Sequence, residues 1–152
     1  MHRFLPRYRG LAWGAMGIGG GLATLSAIIG ASLIPIVGAG VGVALGAAYL
    51  RSPTWKLAVV TDEQGLAVRA GDTERFRLAW SDIVKVVAAP TSNTAFIDGG
   101  APERSVLIPG DGAPAPYGLE NAKALFDTVL AHVPADRVER VESLDKVKRD
   151  PA

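Results

Sequence analysis

The chain has 152 residues and no cysteine, 49% of its residues are hydrophobic, and its formal net charge is +1. The lack of cysteine excludes disulfide bonds, thiolate metal ligands and cysteine nucleophiles. Charge is unevenly distributed, because no Asp, Glu, Lys or Arg occurs between Arg9 and Arg51. Globular chains carry a charged residue at about every fourth position, so this stretch predicts a membrane segment followed by one modest domain.

The uncharged stretch is long enough for two membrane-spanning helices. The hydrocarbon core of a bilayer is about 30 Å thick, so one helical crossing needs about 20 apolar residues. Gly30 can end one helix, and Pro35 fits the first turn of the next. We therefore predict transmembrane helices over residues 10–30 and 33–51, broken near Ser32.

Basic and aromatic residues flank this helical hairpin. The basic flanks comprise a short N-terminal segment, residues 1–9, with His2, Arg3, Arg7 and Arg9, and then Arg51 and Lys56. Because a hairpin returns both ends to the same side, the positive-inside tendency predicts cytoplasmic termini and a cytoplasmic domain. Aromatic residues typical of a membrane interface occur near the same ends, at Tyr8, Trp13, Tyr49 and Trp55.

Glycines follow the helical repeat in both predicted helices. Gly38, Gly42 and Gly46 recur at every fourth position of the second helix, and Gly17 and Gly21 do so in the first. Small residues at this spacing let helix backbones approach closely, which favours association in lipid. We predict a helix-packing face of these glycines, a glycine zipper, and the sequence leaves open whether it contacts the other helix or another chain. An abundance of Gly and Ala is the plainer interpretation, above all for the first helix.

Two other interpretations of the apolar stretch compete with the hairpin. A secretory signal also begins with arginines and an apolar run. Its removal would leave the second run in place, and no convincing small-x-small cleavage site precedes a polar start. A buried hairpin in a soluble protein would need a large assembly, because roughly a hundred further residues cannot enclose two such helices. The membrane hairpin is therefore favoured.

Beyond Ser52 the hydrophobic pattern changes to the alternation of β-strands. The clearest example is 74–80, where Phe76, Leu78 and Trp80 share one face. The predicted strands cover residues 55–60, 66–69, 74–80, 83–88, 94–98 and 105–108.

An amphipathic helix follows the strands. A Pro- and Gly-rich loop over 109–116 precedes it, and the helix over 119–133 must bury its apolar stripe against the sheet. That stripe consists of Leu119, Ala122, Phe126, Val129, Leu130 and Val133. The charged residues 135–152 predict either a disordered tail or a short helix that docks on a partner.

One local motif joins the strands of this domain. The run Phe76-Arg77-Leu78-Ala79-Trp80-Ser81-Asp82-Ile83 combines aromatic residues with Asp-Ile and leads into a valine-rich strand containing Val86. With the strand of residues 55–60, the Gly65 hairpin and the closing helix, it resembles small bacterial membrane-anchored PH-like (pleckstrin-homology-like) domains. The resemblance covers residues 53–134. The long Pro-rich loop departs from the family, and the sequence gives no sign of a full seven strands.

The resemblance implies an α+β fold, an antiparallel partial barrel closed by the C-terminal helix. It also implies a non-catalytic module that binds lipid, peptide or protein partners at the bacterial inner membrane. Together with the hairpin, this predicts a multi-pass protein of that membrane.

Catalytic, metal-binding and nucleic-acid-binding patterns are missing from the sequence. The only histidines are His2 and His132, and Asp62-Glu63 reads as an exposed turn rather than a ligand set. Nucleophilic catalysis would require a nucleophile, a base and an orienting group. The four arginines up to Arg51 leave twelve of the sixteen basic residues beyond it, against all fifteen acidic ones. We therefore expect no enzyme activity, cofactor, metal, nucleic acid or small-molecule substrate.

Three arginines form the best candidate for a lipid or partner face. Arg69, Arg75 and Arg77 lie on adjacent predicted strands and can project from one outer surface. A solvated sheet face is the commoner arrangement. The functional alternative is contact with a lipid headgroup or an acidic partner close to the membrane.

The leading interpretation is a non-enzymatic, membrane-anchored PH-like scaffold or assembly subunit of a bacterial membrane complex. Its expected partners are membrane lipids and other membrane-protein subunits, or further copies of itself. Two alternative functions remain open: an anionic-lipid surface sensor, and a glycine-zipper hairpin that forms a pore.

Overall fold

A computed structural model describes residues 1–30, 33–110, 113 and 115–144 of the chain. The chain divides into two compact units. One is helical and comprises Pro6–Trp55. The other contains Met1–Leu5 together with the chain from Lys56 onward, so it is built from two separate stretches of sequence.

The helical unit contains two helices, α1 at Arg9–Ile28 and α2 at Leu33–Leu50. They agree closely with the predicted spans of 10–30 and 33–51. Gly30 has a φ of +65°, a left-handed conformation that glycine adopts readily at the end of a helix. The centre of the predicted break, at residues 31 and 32, lies outside the described residues.

The second unit is a sheet domain with one helix, α3, at Ala122–His132. Its described strands are His2–Pro6 (β1), Leu57–Thr61 (β2), Gly65–Ala70 (β3), Thr73–Ala79 (β4), Lys85–Ala89 (β5), Thr94–Asp98 (β6), Val106–Ile108 (β7), Tyr117–Leu119 (β8) and Val138–Arg140 (β9). Single turns of 3-10 helix lie at Pro53–Lys56, Trp80–Asp82, Pro90–Ser92, Pro102–Arg104 and Ala135–Arg137. The first of these turns spans the boundary between the two units.

The strands form two sheets. The first has the order β4-β3-β2-β1-β8, and the second has the order β7-β6-β5-β9. The pairs β1–β2, β2–β3, β3–β4, β5–β6 and β6–β7 are antiparallel, whereas β5–β9 is parallel. The prediction of a mostly antiparallel domain is therefore confirmed, and the described strands do not form a closed barrel.

The hydrophobic core lies between these elements. Its largest fully buried side chains are Leu66, Leu78, Ile83, Ile97, Ile108, Leu125, Val59, Val86 and Val129. From α3, the buried residues are Leu125, Phe126 and Val129. The predicted stripe of that helix included Phe126 and Val129 but missed Leu125.

The N-terminal segment differs from its prediction. Residues 1–9 read as a basic flank of the hairpin, but β1 lies inside the first sheet, between β2 and β8. His2 pairs with Val59, and its Nδ1 lies 3.0 Å from the carbonyl oxygen of Glu120. Phe4 is buried, with its ring 4.8 Å from that of Tyr117.

The start of the charged tail is also ordered. Where a disordered tail or a docking helix was predicted, β9 pairs with β5. The Arg137 guanidinium donates hydrogen bonds to the carbonyl oxygens of Ser81 (2.7 Å) and Ile83 (2.9 Å). Glu139 forms an ion pair with Lys85 of β5. Side-chain contacts to the corner before β5 therefore hold this segment, and residues 145–152 lie outside the described part of the chain.

Candidate functional site

The two helices pack through small residues. A Cβ atom added to Gly19 would lie 3.0 Å from the carbonyl oxygen of Ala39, and one added to Gly46 would lie 2.8 Å from Cγ of Met16. Distances under 3.4 Å are tighter than most real Cβ contacts, so both positions favour glycine. The buried positions of α1, Ala12, Gly19 and Ser26, recur every seven residues. This seven-residue spacing is typical of helices that pack against each other along one continuous face.

The predicted glycine face divides into two groups. Gly46 lies in the contact between α1 and α2. Added Cβ atoms on Gly17, Gly21, Gly38 and Gly42 would meet no atom within 4 Å. Within the hairpin, these four glycines therefore do not support the contact, and their role in binding another chain stays a prediction.

The sequence pattern did not single out Gly19. It lies in a run with Gly17, Gly20 and Gly21, where several helical faces fit glycine spacing equally well. The seven-residue repeat from Ala12 to Ser26 is the signal that would have identified it.

The outer surfaces of both helices are apolar. The exposed large residues include Leu11, Trp13, Ile18, Leu22, Leu25, Ile28, Ile34, Val37, Val41 and Leu45. Arg9–Ile28 and Ile36–Lys56 are long and apolar enough to cross a membrane, and only 17% and 11% of their most apolar windows are buried. The core helix of a soluble protein is mostly buried. The two helices therefore fit a membrane protein.

Aromatic residues from both flanks of the hairpin are in contact with one another. The hydroxyl of Tyr49 accepts a hydrogen bond from the backbone N–H of Tyr8 at 3.0 Å. The indole of Trp55 donates to the carbonyl oxygen of Tyr49, and the two rings meet edge to face at 5.0 Å. Three of the four residues of the predicted aromatic belt are thus brought together, whereas Trp13 is exposed on α1.

The three arginines of the predicted partner face have different environments. Arg77 forms ion pairs with Asp62 (2.7 Å) and Glu74 (3.5 Å). Arg69 donates a hydrogen bond to the backbone carbonyl of Asp72 at 3.4 Å. Arg75 is exposed and has no hydrogen-bond or ion-pair partner in the described part of the chain. One of the three positive charges expected on this face, that of Arg77, is therefore balanced by carboxylates.

The Asp62 carboxylate organises the hairpin turn between β2 and β3. Its Oδ1 accepts hydrogen bonds from the backbone N–H groups of Gln64 and Gly65, both at 3.0 Å. The hydrogen bond from the Arg77 guanidinium lowers the pKa of this carboxyl, and these backbone bonds lower it further. The same pair raises the pKa of Arg77. The turn thus fixes a carboxylate beside the arginine that the sequence assigned to a lipid face.

Replacement of Asp62 by Asn is expected to reduce the loss of thermal stability that occurs when the pH is lowered. Because the folded-state pKa is lowered, the stabilisation is present above the ordinary value of 3.8 and is lost as the pH falls through the folded-state pKa. Asp62→Asn can keep the turn hydrogen bonds but not the charge. Thermal unfolding at neutral pH and below 3.8 should show a smaller drop for this variant than for the wild type. An equal drop would contradict the pairing, and exposed Asp72→Asn is the control.

The histidines have structural contacts. The His132 ring stacks on Trp80 with a centroid distance of 4.8 Å, and its Nδ1 lies 2.9 Å from the carbonyl oxygen of Thr128. His2 is buried in the first sheet, as described above. Among the described residues, no three His, Cys, Asp or Glu side chains are grouped so that they could hold a metal ion.

Comparison of the chain with protein-family models, curated proteins and solved structures finds no match.

Proposed function

We propose that this protein is a non-enzymatic, membrane-anchored scaffold or assembly subunit of a bacterial inner-membrane complex. In this proposal α1 and α2 cross the bilayer as a hairpin, and the sheet domain has a PH-like fold on the cytoplasmic side. The domain and the outer helix surfaces make contacts with other membrane-protein subunits or with further copies of the chain.

The observation that carries the proposal is the insertion of the helices between two neighbouring strands. β1 directly precedes α1, β2 follows α2, and these strands pair in one sheet. This pairing supports the part of the proposal in which both ends of the hairpin lie on the same side of the membrane. The basic residues on both flanks favour the cytoplasmic side.

The same strand argues against a cleaved secretory signal. Removal of the first helix with its flank would also remove β1, which lies between β2 and β8. The sheet would then lose an interior strand and the buried side chain of Phe4. Retention of α1 is therefore part of the proposal.

The order of elements supports a PH-like interpretation. The meander β2-β3-β4 is followed by the meander β5-β6-β7 and then by α3, which buries Leu125, Phe126 and Val129. The corner between the two meanders lies in the run of residues 76–83, and Trp80 and Ile83 are both buried there. In this proposal α3 closes the open side of a partial barrel.

Protein contacts through the helices are the leading proposal, and the face of three arginines keeps two positive charges without an ion pair for the alternative of contact with anionic lipid. A lipid-headgroup site needs cations that are not already paired. Arg77 is paired with Asp62 and Glu74, whereas no carboxylate of the described residues pairs with Arg69 or Arg75. By contrast, Gly17 and Gly21 leave an open, small surface on α1 where another helix can approach.

Size analysis of the extracted protein tests the scaffold proposal. We expect the full-length chain in lipid nanodiscs to be larger than a monomer or to retain a partner from its native membrane. The double variant Gly17→Leu, Gly21→Leu should weaken this association, because added side chains block close approach of helix backbones. The control Ala27→Leu changes an exposed small residue elsewhere on α1. A wild-type protein that is monomeric and retains no partner would contradict the proposal.

A further inference from the structure

The sheet domain contains a cavity at the C-terminal end of α3 that is open to solvent on one side. It has a volume of about 310 Å³. Its described lining consists of Leu130, Val133, Ala135, Val138 and Arg140. Four of these side chains are aliphatic and one is cationic. Ligand sites of this size are typically apolar, with a few polar groups that fix the orientation of the ligand.

Arg140 is the only charged residue in this described lining. Its side chain is exposed and has no hydrogen-bond or ion-pair partner among residues 1–30, 33–110, 113 and 115–144. Neighbouring Glu139 is held by Lys85 on the other strand, so it does not neutralise the guanidinium. A guanidinium has a planar fork of donors that matches the two oxygens of a carboxylate.

The strand beside the cavity is also an edge strand. Among the described strands, β9 is the last of its sheet, and its partner β5 lies on one side only. The backbone N–H of Val141 donates to the carbonyl oxygen of Ala88. In a parallel pair, every second residue of a strand directs both its N–H and its C=O towards the neighbouring strand. Glu139 and Val141 face β5 in this way, so the backbone groups of Val138 and Arg140 point away from it. Within the described part of the chain, the cavity therefore combines four aliphatic side chains with a cation and with backbone groups that face away from β5.

We propose that this cavity binds the carboxylate end of a single aliphatic chain. Arg140 would pair with the carboxylate, and Leu130, Val133 and Val138 would cover the chain. A closed cavity of about 150 Å³ accommodates the six carbons of benzene, so the 310 Å³ of this open cavity accommodates at most about twelve carbon atoms. That volume fits a medium-chain fatty carboxylate, whereas a peptide could place only one or two apolar residues there. The proposal adds a ligand to the sheet domain and does not depend on the scaffold role.

Binding of decanoate to the full-length protein in nanodiscs tests this proposal. The carbon-13 resonance of the labelled carboxylate reports the bound state, and empty nanodiscs correct for partition into lipid. We expect saturable binding that weakens about tenfold or more in Arg140→Gln, because a charge-assisted pair is lost. Arg75→Gln removes another unpaired arginine of the same domain and should bind like the wild type. Ala135→Phe should fill the cavity and reduce binding without a change in charge.

Several results would overturn the proposal. Equal binding by the wild type, Arg140→Gln and empty nanodiscs would show partition into lipid only. Decanol binding as tight as decanoate would remove any role for the guanidinium. Binding that appears only after deletion of residues 145–152 would assign the cavity to the chain's own tail. If Ala135→Phe fails to fold, the comparison of Arg140→Gln with Arg75→Gln still decides.

Discussion

A fragment that begins at Lys56 is expected to be largely unfolded, although it contains eight of the nine described strands. It lacks β1, which lies between β2 and β8 in the first sheet. Removal of β1 exposes the edges of both neighbours and the space occupied by Phe4. Loss of a buried Phe side chain alone costs about 3–5 kcal/mol, and domains have a net stability of only about 5–15 kcal/mol. Far-UV and near-UV circular dichroism measure the expected loss of structure.

Reattachment of residues 1–6 should restore the fold without any membrane helix. Arg3 pairs with Ala58 in an antiparallel register, so Pro6 would lie close to the start of β2. A short Gly- and Ser-rich turn in place of residues 7–55 is therefore sufficient to connect the strands. We expect this linked domain to be soluble and to unfold cooperatively.

The matched control is the same linked domain with Phe4→Ser. This variant keeps the length and the turn but loses the buried ring against Tyr117. It should be destabilised by about 3 kcal/mol or more. If the fragment beginning at Lys56 folds as stably as the linked domain, β1 is not an integral strand.

Replacement of Gly110 by Ala is expected to give one of the largest losses of stability for a single methyl group. A Cβ at this position would lie 1.7 Å from the carbonyl oxygen of Ser92. Gly65 is similar, with a Cβ 2.0 Å from the carbonyl oxygen of Leu78. The obstructing atoms belong to the backbone, so no side-chain rotation relieves the overlap. Each Gly→Ala change should cost about 3 kcal/mol or more.

Gly118→Ala is the matched control for both glycine variants. Gly118 lies in β8, and a Cβ there would meet no atom within 4 Å. Its replacement should change the free energy of unfolding by no more than about 1 kcal/mol. Urea unfolding of the linked domain measures all three variants. Equal stability of Gly110→Ala and Gly118→Ala would contradict the close approach of the Gly110 backbone to the carbonyl oxygen of Ser92.

Local patterns predicted the elements whose partners are close in sequence. The uncharged stretch gave both helices, and alternation gave the strands of the two meanders. β6, for example, has the predicted bounds of 94–98. These elements pair with the next strand along the chain, so the signal of each one is contained in a short window.

Strands with distant partners were missed for physical reasons. β1 pairs across the whole helical hairpin with β2, and its Arg3 reads as a membrane flank. β9 has only three residues, two of them charged, and its partner β5 lies about fifty residues earlier. Short polar strands have no hydrophobic periodicity of their own, and their pairing is decided by tertiary contacts such as those of Arg137.

Sequence patterns also failed to predict some of the contacts on the candidate surfaces. The alternation placed Arg75 and Arg77 in one strand, but it did not reveal that the Asp62 turn folds back to pair with Arg77. Glycine spacing pointed to Gly46, at which an added Cβ would meet Met16 and Ala12 of α1. It missed Gly19, because a glycine-rich run fits several helical faces at once.

Cysteine accessibility in oriented membrane vesicles most directly tests whether the hairpin crosses the membrane with both ends on one side. The chain has no cysteine, so each introduced thiol is a unique reporter. The three sites are Leu5→Cys in β1, Glu63→Cys in an exposed turn, and Ser32→Cys at the predicted break. A membrane-impermeant maleimide should label positions 5 and 63 only from the cytoplasmic side and position 32 only from the opposite side. Labelling of positions 5 and 63 from opposite sides, or of all three from the same side, would contradict the hairpin.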